Sequence, residues 1–172
     1  FMADGSATGS GNIDQEWVEL YNRSGEDLRL EGCELRDSAN GHTIATALVI
    51  PAEGFVVLAE EDNGSVGVPD YEWSGFGLNN GGDDIVLNCP IGGAAQTLID
   101  EISYTGALAD DQISGQLHNG QLTAAGNNVA ANFCLGTDEY VTGYFGTPGA
   151  PNNSCDVVVD SCTFERPTLT SA

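Results

Sequence analysis

Few residues of this chain are arranged for chemistry, and most of those are acidic. The densest carboxylate groups are Glu60-Glu61-Asp62 and Asp110-Asp111. Paired carboxylates act as general acid and base when burial or a neighbouring charge moves their pKa values into the working range. Both groups lie among polar turn residues, so their pKa values are expected to stay ordinary. The two histidines, His42 and His118, each sit beside an Asn-Gly dipeptide and read as exposed turn residues rather than catalytic bases. Serine, histidine and aspartate all occur, yet no G-x-S-x-G elbow does. No catalytic residue is assigned, and the chain reads as a non-enzyme.

Oxygen-rich turns make a better case for a hard cation. Asp37-Ser38-Ala39-Asn40 and Glu60-Glu61-Asp62-Asn63 carry the carboxylate and amide oxygens that Ca²⁺ takes. Asp37, Asn40, Glu60 and Asp62 are therefore the candidate ligands. A D-x-D-x-D-G loop is missing, and Asp and Asn favour turns for backbone reasons alone. The leading expectation is a chain without a cofactor, with Ca²⁺ as the alternative. The turn Asn80-Gly81-Gly82-Asp83-Asp84 precedes a strand, whereas a phosphate cradle precedes a helix. Its Asp83 is expected to cap turn amides while the glycines take left-handed angles.

The charge excludes whole classes of partner. Twenty-six acidic residues stand against Arg23, Arg29, Arg36 and Arg166, with no lysine, for a net charge of -22. Such a chain repels nucleic acid and anionic lipid. No apolar run approaches the roughly 20 residues that cross a bilayer, so membrane insertion is not expected. The chain starts at Phe1-Met2-Ala3-Asp4 and reads as a mature or excised piece whose signal lay upstream. Asn22, Asn63 and Asn152 each open an Asn-x-Ser sequon.

Five cysteines, Cys33, Cys89, Cys134, Cys155 and Cys162, contain no C-x-x-C pair, which argues against zinc and for an oxidising compartment. The expected location is extracellular or at the cell surface. Cys134 and Cys155 bracket a strand-poor stretch, Leu135 to Asn153, and a bridge between them would fasten it, contributing about 3 kcal/mol. Cys33 and Cys89 each lie at a predicted strand and could meet across a sandwich. Cys162 is then the odd thiol.

The elements that must hold these residues are strands. Apolar alternation recurs about every ten residues between Gly, Asn, Asp or Pro. It predicts strands at Trp17–Tyr21, Leu28–Leu30, Cys33–Asp37, Thr43–Ile44, Ala47–Ile50, Phe55–Ala59, Ile85–Cys89, Leu98–Tyr104 and Gln116–His118. No long segment shows a capped 3.6 period, so the fold class is all-β. At 172 residues the chain is long enough for one domain that buries roughly 70% of its surface.

Two segments far apart sharpen the assignment: Glu16-Trp17-Val18-Glu19-Leu20-Tyr21-Asn22 and Gly146-Thr147-Pro148-Gly149-Ala150-Pro151-Asn152. The first is a strand apolar on both faces, and the second a turn fixed by proline and glycine. With Gly81-Gly82-Asp83-Asp84-Ile85-Val86-Leu87 between them, they resemble the lamin tail domain in its secreted bacterial form. The resemblance runs over about residues 1–155 and implies an immunoglobulin-like β-sandwich. Glu16, Trp17, Glu19, Tyr21, Asn22, Gly82, Asp83, Gly146, Thr147, Pro148, Gly149, Pro151 and Asn152 would be its structural positions. Val18, Leu20, Leu35, Ile50, Val57, Ile85, Leu87, Ile99 and Tyr104 are the core expected under it.

Residues 156–172 form an extension beyond the resemblance. There Val157, Val158 and Val159 have strand propensity and are the expected assembly segment. The resemblance implies a non-catalytic extracellular module that binds a protein or cell-surface partner, itself included. Two alternatives stand beside it. One is a self-assembling subunit of a surface fibre or layer, and the other an accessory domain of a secreted nuclease or hydrolase.

Overall fold

The structure is a computed structural model that describes residues 1–3, 16–61, 66, 68–93, 95–108, 112–153 and 155. The strands, in chain order, are β1 (Trp17–Tyr21), β2 (Leu28–Arg29), β3 (Glu34–Arg36), β4 (Gly41–Thr43), β5 (Val49–Ile50), β6 (Phe55–Glu60) and β7 (Tyr71–Trp73). They continue with β8 (Gly82–Pro90), β9 (Gln96–Thr105), β10 (Gly115–Leu117), β11 (Phe133–Leu135), β12 (Glu139–Val141) and β13 (Tyr144–Phe145). The only α-helix among the described residues is the single turn α1 (Ala124–Asn127).

Two main sheets carry the fold. One has the order β4-β3-β8-β9 and is antiparallel throughout. The other has the order β1-β6-β7, with β1 antiparallel and β7 parallel to β6. The pairs β2-β5, β10-β11 and β12-β13 complete it. The core includes Val18, Leu35, Ile50, Val56, Leu58, Trp73, Ile85, Leu87 and Tyr104. This is an all-β immunoglobulin-like sandwich.

β6 is the apolar run Phe-Val-Val-Leu-Ala-Glu, and both of its faces are covered. Val56 and Leu58 enter the main core, whereas Val57 and Ala59 join Met2 and Trp17 in a second cluster. Tyr140 of β12 and Tyr144 of β13 pack on that second cluster. β1 follows the same rule, since its register places Trp17 beside Ala59 and Val18 beside Leu58. The C-terminal hairpin therefore acts as a third layer over the outer face of the second sheet.

Several sequence expectations are corrected. The stretch Leu135–Asn153 holds the hairpin β12-β13 rather than being strand-poor. Its strands are too short for a periodicity to register, and the cluster on which the hairpin packs is distant in sequence. Cys33 and Cys89 are bridged, but within one sheet and not across the sandwich. The β3-β8 register pairs Glu34 with Asn88, which places Cys33 opposite Cys89. Ile99, expected in the core, is 43% exposed. β9 bulges there: Leu87 pairs with Asp100 and Asn88 with Leu98, leaving Ile99 unpaired. Leu20 is only half-buried, packed against the core's edge. His42 is a strand residue, with Nε2 2.8 Å from the Tyr71 hydroxyl and Nδ1 3.0 Å from the Ser74 carbonyl.

Candidate functional site

The two motif segments at opposite ends of the chain meet on β1. Trp17 is 2% exposed, donates from Nε1 to the Tyr140 hydroxyl at 3.2 Å, and meets that ring edge-on. Glu19 Oε2 accepts from the Gly149 N–H at 2.6 Å. Gly149 has φ +79° and follows Pro148, and the Ala150 N–H returns to the Thr147 carbonyl at 3.0 Å. Those are the marks of a type II turn, in which glycine at the third position is nearly obligatory. A Cβ on Gly146 would lie 2.5 Å from Ser114 Oγ and 3.3 Å from the Trp17 ring. Thr147 Oγ1 accepts from Gln116 Nε2 at 3.0 Å, Asn152 Nδ2 donates to the Leu117 carbonyl at 2.9 Å, and Pro151 is exposed.

The remaining motif residues are also structural ties. Glu16 is buried, and its Oε2 accepts from the Leu78 N–H at 2.6 Å. Asn22 is 1% exposed, and its amide donates to the carbonyls of Glu26, Ile50 and Pro51 while its oxygen accepts from Ser24. An amide so enclosed is a poor glycan acceptor. Tyr21 stacks on Phe55 with ring centroids 4.6 Å apart. Asp83 Oδ1 accepts from the Asp84 N–H and Oδ2 from the Asn79 N–H. A Cβ on Gly82, at φ +119°, would lie 2.7 Å from the Tyr104 carbonyl.

The cation candidates do not converge among the described residues. The Asp37 carboxylate is occupied as a turn acceptor for the N–H groups of Ala39 and Asn40. Asn40 is exposed, and Glu60 ends β6 with its N–H on the Glu16 carbonyl. No group of three or more His, Cys, Asp or Glu is arranged to hold a metal among the described residues. Asp62, Val157, Val158, Val159, Cys162 and the pair Asp110-Asp111 lie outside the described residues. Cys134 of β11 is bridged to Cys155 with Cα atoms 5.5 Å apart.

A cleft of about 280 Å³ opens between β1 and β9, the edge strands of the two main sheets. Leu20, Tyr21, Leu28, Ile99, Leu117 and Leu122 give it apolar walls. Glu19 and Asp100 line it as well, with Arg23 the one cation of the lining. Smaller hollows continue from it and share Glu19 and Asn127 with it. The bulge at Ile99 turns that side chain out of the ladder and into the cleft wall.

One polar pair sits in this lining. Asn127 Nδ2 donates to Asp100 Oδ2 at 2.7 Å, while Asn127 Oδ1 is buried with no hydrogen-bond partner. Asn127 ends α1, whose start is capped by Thr123 Oγ1 accepting from the Gly126 N–H at 2.9 Å. Asn132 Nδ2 also holds the Gly126 carbonyl at 2.7 Å, so the turn that presents Asn127 is fixed from two sides. Burial pushes the Asp100 carboxyl up, against the stabilising hydrogen bonds from Asn127 and the Glu101 N–H. Burial likewise pushes Glu19 up to about 7, opposed by the N–H groups of Gly149 and Ala150. The cleft offers acceptors and apolar surface, an arrangement for binding. Sequence reading missed it because α1 and the bulge are made by side-chain caps and strand register, which leave no periodic signal.

Fold and site together define an immunoglobulin-like sandwich with an open cleft between its two main sheets. Residues 1–106 match the Lamin Tail Domain family, a non-catalytic family of immunoglobulin-like domains, and the chain belongs to it. The turn Gly146–Asn152 that docks on β1 lies beyond the matched span. Comparison with curated proteins and with solved structures returned no match.

Proposed function

We propose that this domain is an extracellular, non-catalytic interaction module that binds a protein or cell-surface partner. The observation that carries the reading is the open cleft between β1 and β9, where Leu28 is 44% and Ile99 43% exposed on one concave surface. Exposed apolar side chains that line a concave surface beside a polar pair are a common form of recognition site. The family supplies the interaction fold, and the bridges Cys33–Cys89 and Cys134–Cys155 support an oxidising location.

The test is fractionation of producing cells with a membrane-impermeant biotin reagent, followed by non-reducing peptide mapping. The module is expected in the medium or in the labelled surface fraction, with both bridges intact. Recovery from the unlabelled cell interior with Cys134 alkylated before reduction would overturn the extracellular reading.

A further inference from the structure

The cleft shows what its occupant must bring. Its polar lining offers acceptors: the buried orphan Oδ1 of Asn127 and the half-buried Asp100 carboxylate beside it. A buried acceptor without a donor carries an uncompensated desolvation cost, which a ligand donor placed there removes. The walls around the pair are aliphatic and aromatic. At about 280 Å³ the cavity is smaller than most cofactor pockets and holds two or three side chains.

The chain is poor in cationic donors of its own. Against 26 acidic residues it carries four arginines, Arg23 of the cleft lining among them, and no lysine. A second copy carries the same -22 charge. Charge complementarity therefore selects a different protein, and one that is not acidic at the contact.

Resting on the reading of this domain as an interaction module, we infer that the β1-β9 cleft receives an extended segment of a partner protein, whose lysine ammonium donates to Asn127 Oδ1 and Asp100 while flanking apolar side chains pack on Leu28, Ile99 and Leu122. In an extended segment, residues two apart share a face at a spacing of about 6.7 Å, so one lysine between two apolar residues of the same face fits the lining. Among the described residues β9 is the outermost strand of its sheet, the position at which an added strand pairs.

The probe is the blocked peptide Ac-Val-Ser-Lys-Ser-Val-NH₂, titrated into the ¹⁵N-labelled full chain and followed by amide chemical shifts. Two controls replace its lysine by norleucine and by glutamate. The lysine peptide is expected to move the amides of Asp100, Glu101 and Asn127, the norleucine peptide to bind at least about tenfold more weakly, and the glutamate peptide to leave them unmoved. Ile99→Ser, at an exposed bulge that the core does not need, should weaken the lysine and norleucine peptides alike. Asp100→Asn should remove the difference between those two peptides. Equal binding of the lysine and norleucine peptides to the wild type overturns the inference, as does an absence of shifts at millimolar peptide. Shifts of the same amides on raising protein concentration alone would assign the cleft to a second copy and also overturn it. None of these outcomes bears on where the module resides, which the labelling experiment reads separately.

Discussion

Glu19→Gln should change how stability depends on pH, and the structure sets the size of the change. Glu19 sits on β1 under the Gly146–Asn152 turn, and burial raises its pKa from 4.5 to about 7. A carboxyl with a raised folded-state pKa binds its proton more tightly folded than unfolded. Its contribution to stability is therefore full below the unfolded value of 4.5 and is lost as pH rises through about 7. Integrating between those two pKa values, the penalty for ionising Glu19 in the folded state grows by about 2.5 kcal/mol from pH 5 to pH 8. Glutamine keeps an acceptor for the Gly149 N–H and has no charge to desolvate. Urea unfolding of both proteins at pH 5 and pH 8 isolates the effect, because the self-repulsion of the acidic surface is nearly common to both. The variant should gain on the wild type by about 2.5 kcal/mol across that interval. Parallel pH profiles would refute the reasoning and show that Glu19 ionises in the folded protein without cost.

Further outcomes are expected from other contacts. Trp17→Ala should cost about 3–5 kcal/mol in urea unfolding, since the ring is 2% exposed between β6 and Tyr140. A loss below half a kcal/mol would place the ring at the surface. Asn22→Asp turns a donor held by three carbonyls into a charged acceptor and should cost at least about 3 kcal/mol; a smaller loss in denaturant unfolding would show that the loop re-forms around it. Replacing Cys134 and Cys155 by Ser together removes a bridge across 21 positions and should cost about 3 kcal/mol, read by calorimetry. Because the Asp37 carboxylate already serves two turn amides, a chelator should leave the melting temperature unchanged. A fall of several degrees would instead establish a Ca²⁺ site.

How much was legible in the sequence varies along the chain for a physical reason. The two-faced apolar character of Trp17–Tyr21 and Phe55–Glu60 is written in residue types, because a strand buried on both sides has no polar face to display. The turn Thr147-Pro148-Gly149-Ala150 is legible for a similar reason, since proline and glycine carry their backbone angles with them wherever they occur. The all-β class and the family follow from such local constraints, together with the acidic, lysine-free surface. Register is another matter. That Cys33 lies beside Cys89 within one sheet, and that Ile99 leaves the ladder, depends on which residues of β3, β8 and β9 stand opposite one another, set by packing across the whole sheet. The docking of Tyr140 and Gly149 on β1 joins residues more than a hundred positions apart, and no local pattern encodes the pairing. The cleft belongs to the same class: Glu19, Asp100 and Asn127 are ordinary polar residues in sequence. Only the tertiary structure closes apolar walls around them, raises two of the carboxyls and leaves one amide oxygen without a donor.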